Sequence, residues 1–146
     1  MNNDFRLLVC GSRGAISAAV KDYLIGYITD LEQLVRAAGG QLTIISGLAQ
    51  GPDRIAYEAA KARGIPVEGY SADWDTHGKA AGHLRNQQML ETGVDYCIAI
   101  TTNPRGLTPG TANMVAKCKA AGVKGHIKRF PAPLTTARPT RKVVAG

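Results

Sequence analysis

Short apolar runs alternate with amphipathic stretches along most of this chain, and this alternation constrains its fold more than any other feature. The run at residues 5–10 is nearly continuous and ends at Gly11, as is typical of a strand buried on both faces of a parallel sheet. Residues 15–38 repeat apolar side chains every three or four positions and stop at Gly39-Gly40, which predicts a long amphipathic helix. This pairing of strand and helix is typical of a βαβ unit.

The same alternation continues to Ile127. Further strands are predicted at 42–46, 66–70, 96–100 and 123–127, and further helices at 53–63, from near Gly78, and at 111–121. The last strand alternates apolar and polar residues, so we expect it at an edge of the sheet. The chain up to residue 129 is therefore predicted to be a single Rossmann-like α/β domain, with a mostly parallel five-stranded sheet and helices on both faces.

Residues 130–146 have a different composition. They contain three prolines and the cations Arg138, Arg141 and Lys142, with few core-forming residues, which predicts a flexible basic C-terminal tail. The net charge of +7 suggests anionic partners, but part of the excess lies in this tail. Nucleic acid therefore remains an alternative partner, through the tail.

The cysteines and the N-terminus indicate the compartment. Three cysteines without CxxC spacing, with Cys10 and Cys97 inside apolar runs, predict buried, inert thiols in a reducing environment. The first residues lack the basic and long apolar regions of a signal peptide, and no apolar run approaches the ~20 residues of a membrane span. We therefore predict a cytoplasmic protein without a membrane partner.

Glycines and hydroxyls follow three of the predicted strands, where a parallel sheet binds its ligands. Backbone N–H groups, hydroxyls and a guanidinium at such turns can hold a phosphate. For Asp53, capping of the following helix is favoured over contact with a ribose hydroxyl, and Thr111 suits either a cap or a phosphate contact. The candidate ligand-binding residues of these loops are Gly11, Ser12, Arg13, Gly47, Gly51, Asp53, Gly110 and Thr111.

Residues 72–89 combine glycines, cations and amides that a hydrophobic core does not require. In a helix from near Gly78, Lys79 would lie in the first turns, where the macrodipole disfavours positive charge unless an anion is bound. Two glycines in one short helix also indicate close approach of another group. Lys79, Arg85 and Asn86 are therefore further ligand-binding candidates, the alternative being a loop and a solvated surface helix.

Taken together, these motifs resemble the YspA-type branch of the SLOG superfamily. The resemblance covers Gly11-Ser12-Arg13, the SGxAxGxD pattern of 46–53, the stretch from 72 to 89, and Gly110-Thr111, within about residues 5–127. It implies a Rossmann-like sheet whose loops bind nucleotides or nucleotide-derived ligands such as relatives of ADP-ribose. Related branches are the LOG-type phosphoribohydrolases and the DNA-processing protein DprA, and relatives also suggest a homodimer.

Two departures from the phosphoribohydrolase pattern bear on catalysis. Arg85 matches the arginine of that pattern, but Asn86 replaces its lysine and Met114 replaces the catalytic glutamate of the GGxGTxxE loop. A thioether cannot act as a general acid or base. We therefore expect a nucleotide-binding sensor, carrier or sequestering protein. A hydrolase of the N-glycosidic bond that uses other, unknown catalytic residues is the first alternative, and a DprA-like nucleic-acid binder is the second.

The remaining candidates are weaker. His77, His83 and His126 have no cysteines at ligand spacing, so no metal site is predicted. Trp74 can stack on a base or pack against the sheet, and packing is favoured because an indole has a large area to bury. Ser12 lacks the context of a catalytic nucleophile.

Overall fold

In a computed structural model, residues 2–131 are described, and they contain one five-stranded sheet in which every pair of neighbouring strands is parallel. The strands are β1 (Phe5–Gly11), β2 (Leu42–Ser46), β3 (Val67–Gly69), β4 (Tyr96–Thr101) and β5 (Lys124–Arg129). The helices are α1 (Ala18–Ala37), α2 (Pro52–Ala62), α3 (Trp74–His77), α4 (Ala81–Glu91) and α5 (Pro109–Ala120), with a 3₁₀ turn at Gly78–Ala80.

The strand order is β3-β2-β1-β4-β5, with β1 in the centre. Leu7 of β1 pairs with Ile44 of β2 on one side and with Tyr96 of β4 on the other. Along the chain, β2 and β3 are added on one side of β1, and β4 and β5 are then added on its other side. The reversal places a crevice at the carboxyl ends of β1 and β4, where open parallel sheets bind ligands.

Two hydrophobic clusters cover the two faces of the sheet. Leu7 and Val9 point into the cluster with α1 and α2, whereas Leu8 and Cys10 point into the cluster with Met89 of α4 and with residues of α5. A strand can supply both clusters because successive side chains leave opposite faces. The predicted Rossmann-like fold is confirmed, including β5 at an edge of the sheet.

The main correction to the predicted elements concerns the helix expected from near Gly78. Gly78 has a φ of +55° and ends the short helix α3, and a 3₁₀ turn follows, so α4 begins at Ala81 and not at Gly78. An L residue with a side chain rarely adopts this conformation, but glycine does. Gly78 and Lys79 therefore precede α4 and do not continue the helical stripe of Gly82 and Arg85.

The packed part of the chain includes Phe130. Its backbone N–H donates to the carbonyl oxygen of Thr101 (2.9 Å), and its ring packs edge-on against Tyr23. Most of the predicted basic tail, residues 132–146, lies outside the described residues. Within residues 2–131, no helix is long and apolar enough to cross a membrane.

Candidate functional site

A cleft of about 830 Å³ opens at the carboxyl ends of β1, β2 and β4. This volume lies within the usual range of small-molecule and cofactor sites. The cleft collects residues from the loops after four strands, together with the N-terminal parts of α4 and α5. Its lining residues are Cys10–Gly14, Gly47–Gln50, Asp53, Ser71, Ala72, Trp74, Lys79, Gly82, His83, Arg85, Asn86, Thr102, Asn103, Thr108–Thr111 and Met114.

The loop after β1 brings a hydroxyl into the floor of the cleft. Ser12 is held by its backbone, which donates to the carbonyl oxygen of Ile100 (3.0 Å), and only 6% of the residue is exposed. Among residues 2–131, nothing forms a hydrogen bond with its Oγ. Gly11 permits this packing, because a Cβ there would lie 2.5 Å from the Ile100 oxygen. The loop therefore places an unpaired, buried hydroxyl against the cleft.

The loop after β2 is fixed by unusual backbone geometry. Gly51 has a φ of +97°, and a Cβ on it would lie 2.7 Å from the carbonyl oxygen of Ser12. The hydroxyl of Ser46 accepts from the backbone N–H of Leu48 (3.1 Å) and donates to the carbonyl oxygen of Asp53 (2.8 Å). Gly51 does not line the cleft. It lets the loops after β1 and β2 approach each other.

Asp53 is a buried carboxyl group in the cleft, and the prediction that it caps α2 is wrong. The N-cap is Gly51, Pro52 follows it, and no side chain makes a capping hydrogen bond there. The carboxyl points instead toward Gly47 and Arg85, since a Cβ on Gly47 would lie 2.9 Å from both Asp53 Oδ2 and Arg85 Cζ. Burial raises the pKa of Asp53 to about 7, although the Arg85 cation and nearby backbone N–H groups act to lower it.

Arg85 and Asn86 join α4 to both neighbouring loops. Arg85 Nη1 donates to the carbonyl oxygen of Gly47 (2.5 Å), and its Nε donates to Asn86 Oδ1 (3.0 Å). The Asn86 amide donates to the carbonyl oxygen of Gly110 (3.2 Å) and to Asn113 Oδ1 (3.0 Å). Asn86 is 3% exposed, so its polar atoms are buried and engaged within the protein. It is better placed to position Arg85 and α5 than to bind a ligand.

The N-terminus of α5 forms another wall of the cleft. The helix begins at Pro109 after the N-cap Thr108, so of the two roles that the sequence left open for Thr111, the cap is excluded. Thr111 is buried in the first turn, and its Oγ1 accepts from the hydroxyl of Thr108 (3.1 Å). The backbone N–H groups of a first helical turn have no partners within the helix and carry partial positive charge. Gly110 and Thr111 therefore present anion-binding geometry to the cleft.

Trp74 stands at the rim, contrary to the prediction that it packs against the sheet. It is 59% exposed and begins α3, where the Asp73 carboxylate accepts from the backbone N–H of Thr76 (3.1 Å). Lys79 and His83 lie on the same rim and are exposed. Asp53 is the one carboxylate among the described residues of the lining, against the cations Arg13, Lys79 and Arg85.

Met114 lies under the cleft and not in a position to do acid–base chemistry. It is 1% exposed and packs in the same cluster as Cys10, Cys97 and Cys118, which are free and buried as predicted for the first two. The sulfur atoms of Cys10 and Cys97 are 4.0 Å apart, and the pKa of the Cys97 thiol is raised by its hydrogen bond with Cys10. Residues 2–131 hold no group of three or more His, Cys, Asp or Glu arranged for a metal ion.

The structure brings together every predicted ligand-binding residue except Gly51 around this cleft. Sequence reasoning missed five polar residues that also line it, namely Gln50, Ser71, Thr102, Asn103 and Thr108. Ser71 and Asn103 follow β3 and β4 within two residues, so their position just after a strand was the available signal.

Comparison with known proteins places this chain in a family. Residues 5–77, half of the chain, match the model of the YAcAr family, described as the YspA, cpYpsA-related SLOG family. The chain belongs to this SLOG family. Its Gene 61 protein relative from Mycobacterium phage D29 is 34% identical over 125 residues, which cover 81% of this chain and 91% of the relative.

The SLOG domain also resembles a solved structure, DNA processing protein A (DprA) from Streptococcus pneumoniae. The sequences are 20% identical, and the TM-score is 0.45 over 85% of this chain and 59% of the DprA chain. The match to this chain therefore spans about three fifths of the length of the DprA chain. The family match at residues 5–77 includes Ser12 and Asp53, whereas Arg85 and Gly110 lie beyond it.

Proposed function

We propose that this SLOG domain binds a nucleotide or a nucleotide-derived ligand, phosphoribosyl or ADP-ribose-like, and acts as a sensor, carrier or sequestering protein. The observation that carries the proposal is the hydroxyl of Ser12, which is buried in the cleft and has no hydrogen-bond partner among residues 2–131. An unpaired buried hydroxyl costs free energy unless another molecule supplies its partner. A ligand oxygen in the cleft is a suitable partner.

The charge of the cleft favours an anionic ligand. Arg13, Lys79 and Arg85 line it, and the first turn of α5 contributes the partial positive charge of its N–H groups. Guanidinium groups and helix N-termini are typical phosphate ligands. We therefore place the phosphate between the loop of Ser12 and Arg13 and the first turn of α5.

Asp53 suits a part of the ligand other than the phosphate. An ionised carboxylate repels phosphate but accepts hydrogen bonds from hydroxyl groups. Since Asp53 lies beside Gly47 and Arg85, we place a ribose hydroxyl there. The cleft thus has a part that suits phosphate and a part that suits ribose, and this combination favours a nucleotide over a free phosphate ion.

The first experiment identifies the ligand. Native mass spectrometry of the purified protein detects a co-purified compound by its mass, and a thermal-shift screen then tests nucleoside monophosphates, ADP-ribose and ribose 5-phosphate. A ligand that binds the folded state raises the melting temperature. If none of these compounds does so, the proposed function is wrong.

Arg13→Ala provides a clean variant for this screen, with Arg129→Ala as its control. Both arginines are exposed at the carboxyl ends of strands, but only Arg13 lines the cleft. Arg13→Ala should reduce the ligand-induced shift and leave the melting temperature of the free protein unchanged. Arg85→Ala should also weaken binding more than it lowers apo stability, although it removes the hydrogen bond to Gly47 as well.

One observation supports an enzymatic alternative. A carboxyl group with a pKa of about 7 exchanges its proton readily at neutral pH, which is the property of a general acid or base. In this alternative, Asp53 assists hydrolysis of the N-glycosidic bond of a nucleoside monophosphate, a role that Met114 cannot fill. Incubation with nucleoside monophosphates distinguishes the two functions: release of free base, lost in Asp53→Asn, supports the enzyme, and its absence supports binding alone.

A further inference from the structure

Trp74 is an exposed indole that faces a polar cleft. The chain has one tryptophan. Five large hydrophobic side chains are exposed among residues 2–131, and Trp74 is the one of these that lines the cleft. Exposure of a large aromatic surface forfeits much of the free energy that its burial would supply. Its position is therefore better explained by a partner in the cleft than by packing within the protein.

Gly82 sets the spacing between Trp74 and Arg85. A Cβ placed on Gly82 would lie 3.4 Å from Cη2 of Trp74 and 4.0 Å from Nη2 of Arg85. The tip of the indole and the guanidinium therefore border the same small space, which any larger residue at position 82 would fill. An aromatic surface and a cation at one wall suit a ligand that is both flat and anionic.

Along α4, the residues beside the two parts of the cleft lie four positions apart. Asn86 contacts the first turn of α5, where we place the phosphate, and Gly82 lies four residues earlier beside the indole. Four residues of an α-helix span about 6 Å. This separation is of the order that one ribose bridges between a 5′-phosphate and a base.

We propose that Trp74 stacks on the base of the ligand, so that the cleft selects a base-containing nucleotide over ribose 5-phosphate. This inference rests on the proposed function, because it assumes that the phosphate and ribose lie where the cations and Asp53 are. Stacking on an aromatic side chain is available to every base, so Trp74 recognises the presence of a base and not its identity.

Isothermal titration calorimetry with the full-length protein tests the proposal. The probes are AMP, GMP, CMP, UMP, ADP-ribose and ribose 5-phosphate, and the variants are Trp74→Ala, Trp74→Phe and Leu84→Ala. Leu84 is a matched control because it is an exposed apolar residue of α4, 49% exposed, that does not line the cleft. The single tryptophan also makes the intrinsic fluorescence of the wild-type protein a direct report of contact with a base.

We expect Trp74→Ala to lose affinity only for the probes that contain a base. The wild type should bind at least one base-containing probe roughly ten-fold or more tightly than ribose 5-phosphate, with quenching of its fluorescence. Trp74→Ala should remove most of this advantage and leave the Kd for ribose 5-phosphate unchanged. Trp74→Phe should keep most of it, and Leu84→Ala should behave as the wild type does.

Three outcomes would overturn the inference. Equal affinity of the wild type for ribose 5-phosphate and the nucleotides would show that no base is recognised, while the proposed function would stand. An equal loss for all probes in Trp74→Ala would show a structural role, and an unchanged nucleotide affinity would show that Trp74 faces another partner, such as a protein. Binding of none of the probes would refute the proposed function together with the inference.

Discussion

At the scale of single residues, two buried serines give opposite predictions. Ser12 and Ser46 are both buried next to the ends of adjacent strands, but Ser46 has two hydrogen-bond partners and Ser12 Oγ has none among the described residues. Ser12→Ala should raise the free energy of unfolding of the ligand-free protein by roughly 1 kcal/mol, because it removes an unpaired polar group. It should also weaken ligand binding about five- to ten-fold.

Ser46→Ala is the matched control and should lower the free energy of unfolding by roughly 1–2 kcal/mol, since it removes both hydrogen bonds. Denaturant unfolding of both variants, with and without the ligand found in the screen, measures the two effects. A destabilising Ser12→Ala with unchanged affinity would mean that the hydroxyl serves the fold and not a ligand.

The buried Asp53 predicts a pH dependence of stability. Burial raises its pKa from the ordinary 3.8 to about 7, so between these values the folded protein binds a proton that the unfolded chain has lost. The free energy of unfolding should therefore fall as pH rises from about 4 to 7 and level off above that range, by about 4 kcal/mol at most. Asp53→Asn should lack this component.

The measurement is the difference between the wild-type and Asp53→Asn unfolding free energies at several pH values. Glu68 acts with the opposite sign, because its hydrogen bond from Arg6 lowers its pKa, but it is present in both proteins and cancels in the difference. If the two profiles run parallel from pH 4 to 8, Asp53 is not the buried acid that the structure indicates.

The cap roles considered for Asp53 and Thr111 fail for the same physical reason. Asp53 and Thr111 precede or begin helices in the sequence, which makes them look like caps, but Pro52 and Pro109 start those helices earlier. The local pattern identifies the turn and its glycines, whereas the position of the Asp53 carboxyl beside Arg85 brings together residues 32 positions apart. The exposure of Trp74 is likewise not visible in the local sequence, because it depends on which elements pack near its ring in the fold.

At the scale of elements, one buried amide links α4 to α5, beside the packing of Met89 against α5. Asn86 joins Arg85 of its own helix to Asn113 and Gly110 of α5 through three hydrogen bonds. Asn86→Ala should lower the free energy of unfolding by roughly 2–3 kcal/mol, since it removes three part-buried hydrogen bonds.

A double-mutant cycle with Asn113→Ala isolates this contact. If the amide pair joins the helices, the two substitutions should be non-additive, with a coupling of roughly 0.5–1.5 kcal/mol measured by denaturant unfolding. Strictly additive effects would show that Asn86 acts through Gly110 or Arg85 alone. The sequence alone could not distinguish a ligand-binding amide at position 86 from this buried link, because Asn113 is 27 residues away.

The element boundaries show what local sequence can and cannot determine. The bounds of the strands buried on both faces were predicted nearly residue by residue, because a short, continuous apolar run such as that of β2 is typical of such strands. A helix was predicted to start near Gly78, but Gly78 has a positive φ and a 3₁₀ turn follows, so α4 begins at Ala81. A glycine within a helical pattern is compatible with either continuation or a turn, and only the tertiary packing decides between them.

At the scale of the whole molecule, topology explains why dispersed motifs meet in one cleft. The strand order places the ends of β1 and β4 side by side, although 90 residues separate Gly11 from Thr101. The alternation of strands and helices predicted the parallel sheet, and a parallel sheet gathers the loops after its strands at one edge. The order of the strands was not predicted, because similar apolar runs do not specify their neighbours.

The last prediction concerns the charge of the whole chain. Three of the cations, Arg138, Arg141 and Lys142, lie outside the described residues 2–131. The composition of residues 130–146 predicts a flexible tail, so a variant that ends at Pro131 should keep the melting temperature and the ligand-induced shift of the full chain. If the tail is the source of any affinity for DNA, the same variant should lose it, together with about three units of the slope of log K against log salt.

Fluorescence anisotropy with a labelled duplex at several salt concentrations measures this slope. Substitution of the three cations by glutamine in the full-length chain is the control, because it removes the charge and keeps the length. DNA affinity that survives both changes would locate the nucleic-acid contact on the folded domain. If Arg13→Ala or a saturating nucleotide then abolished it, the cleft itself would be the DNA-binding surface, and the second alternative would replace the proposed function.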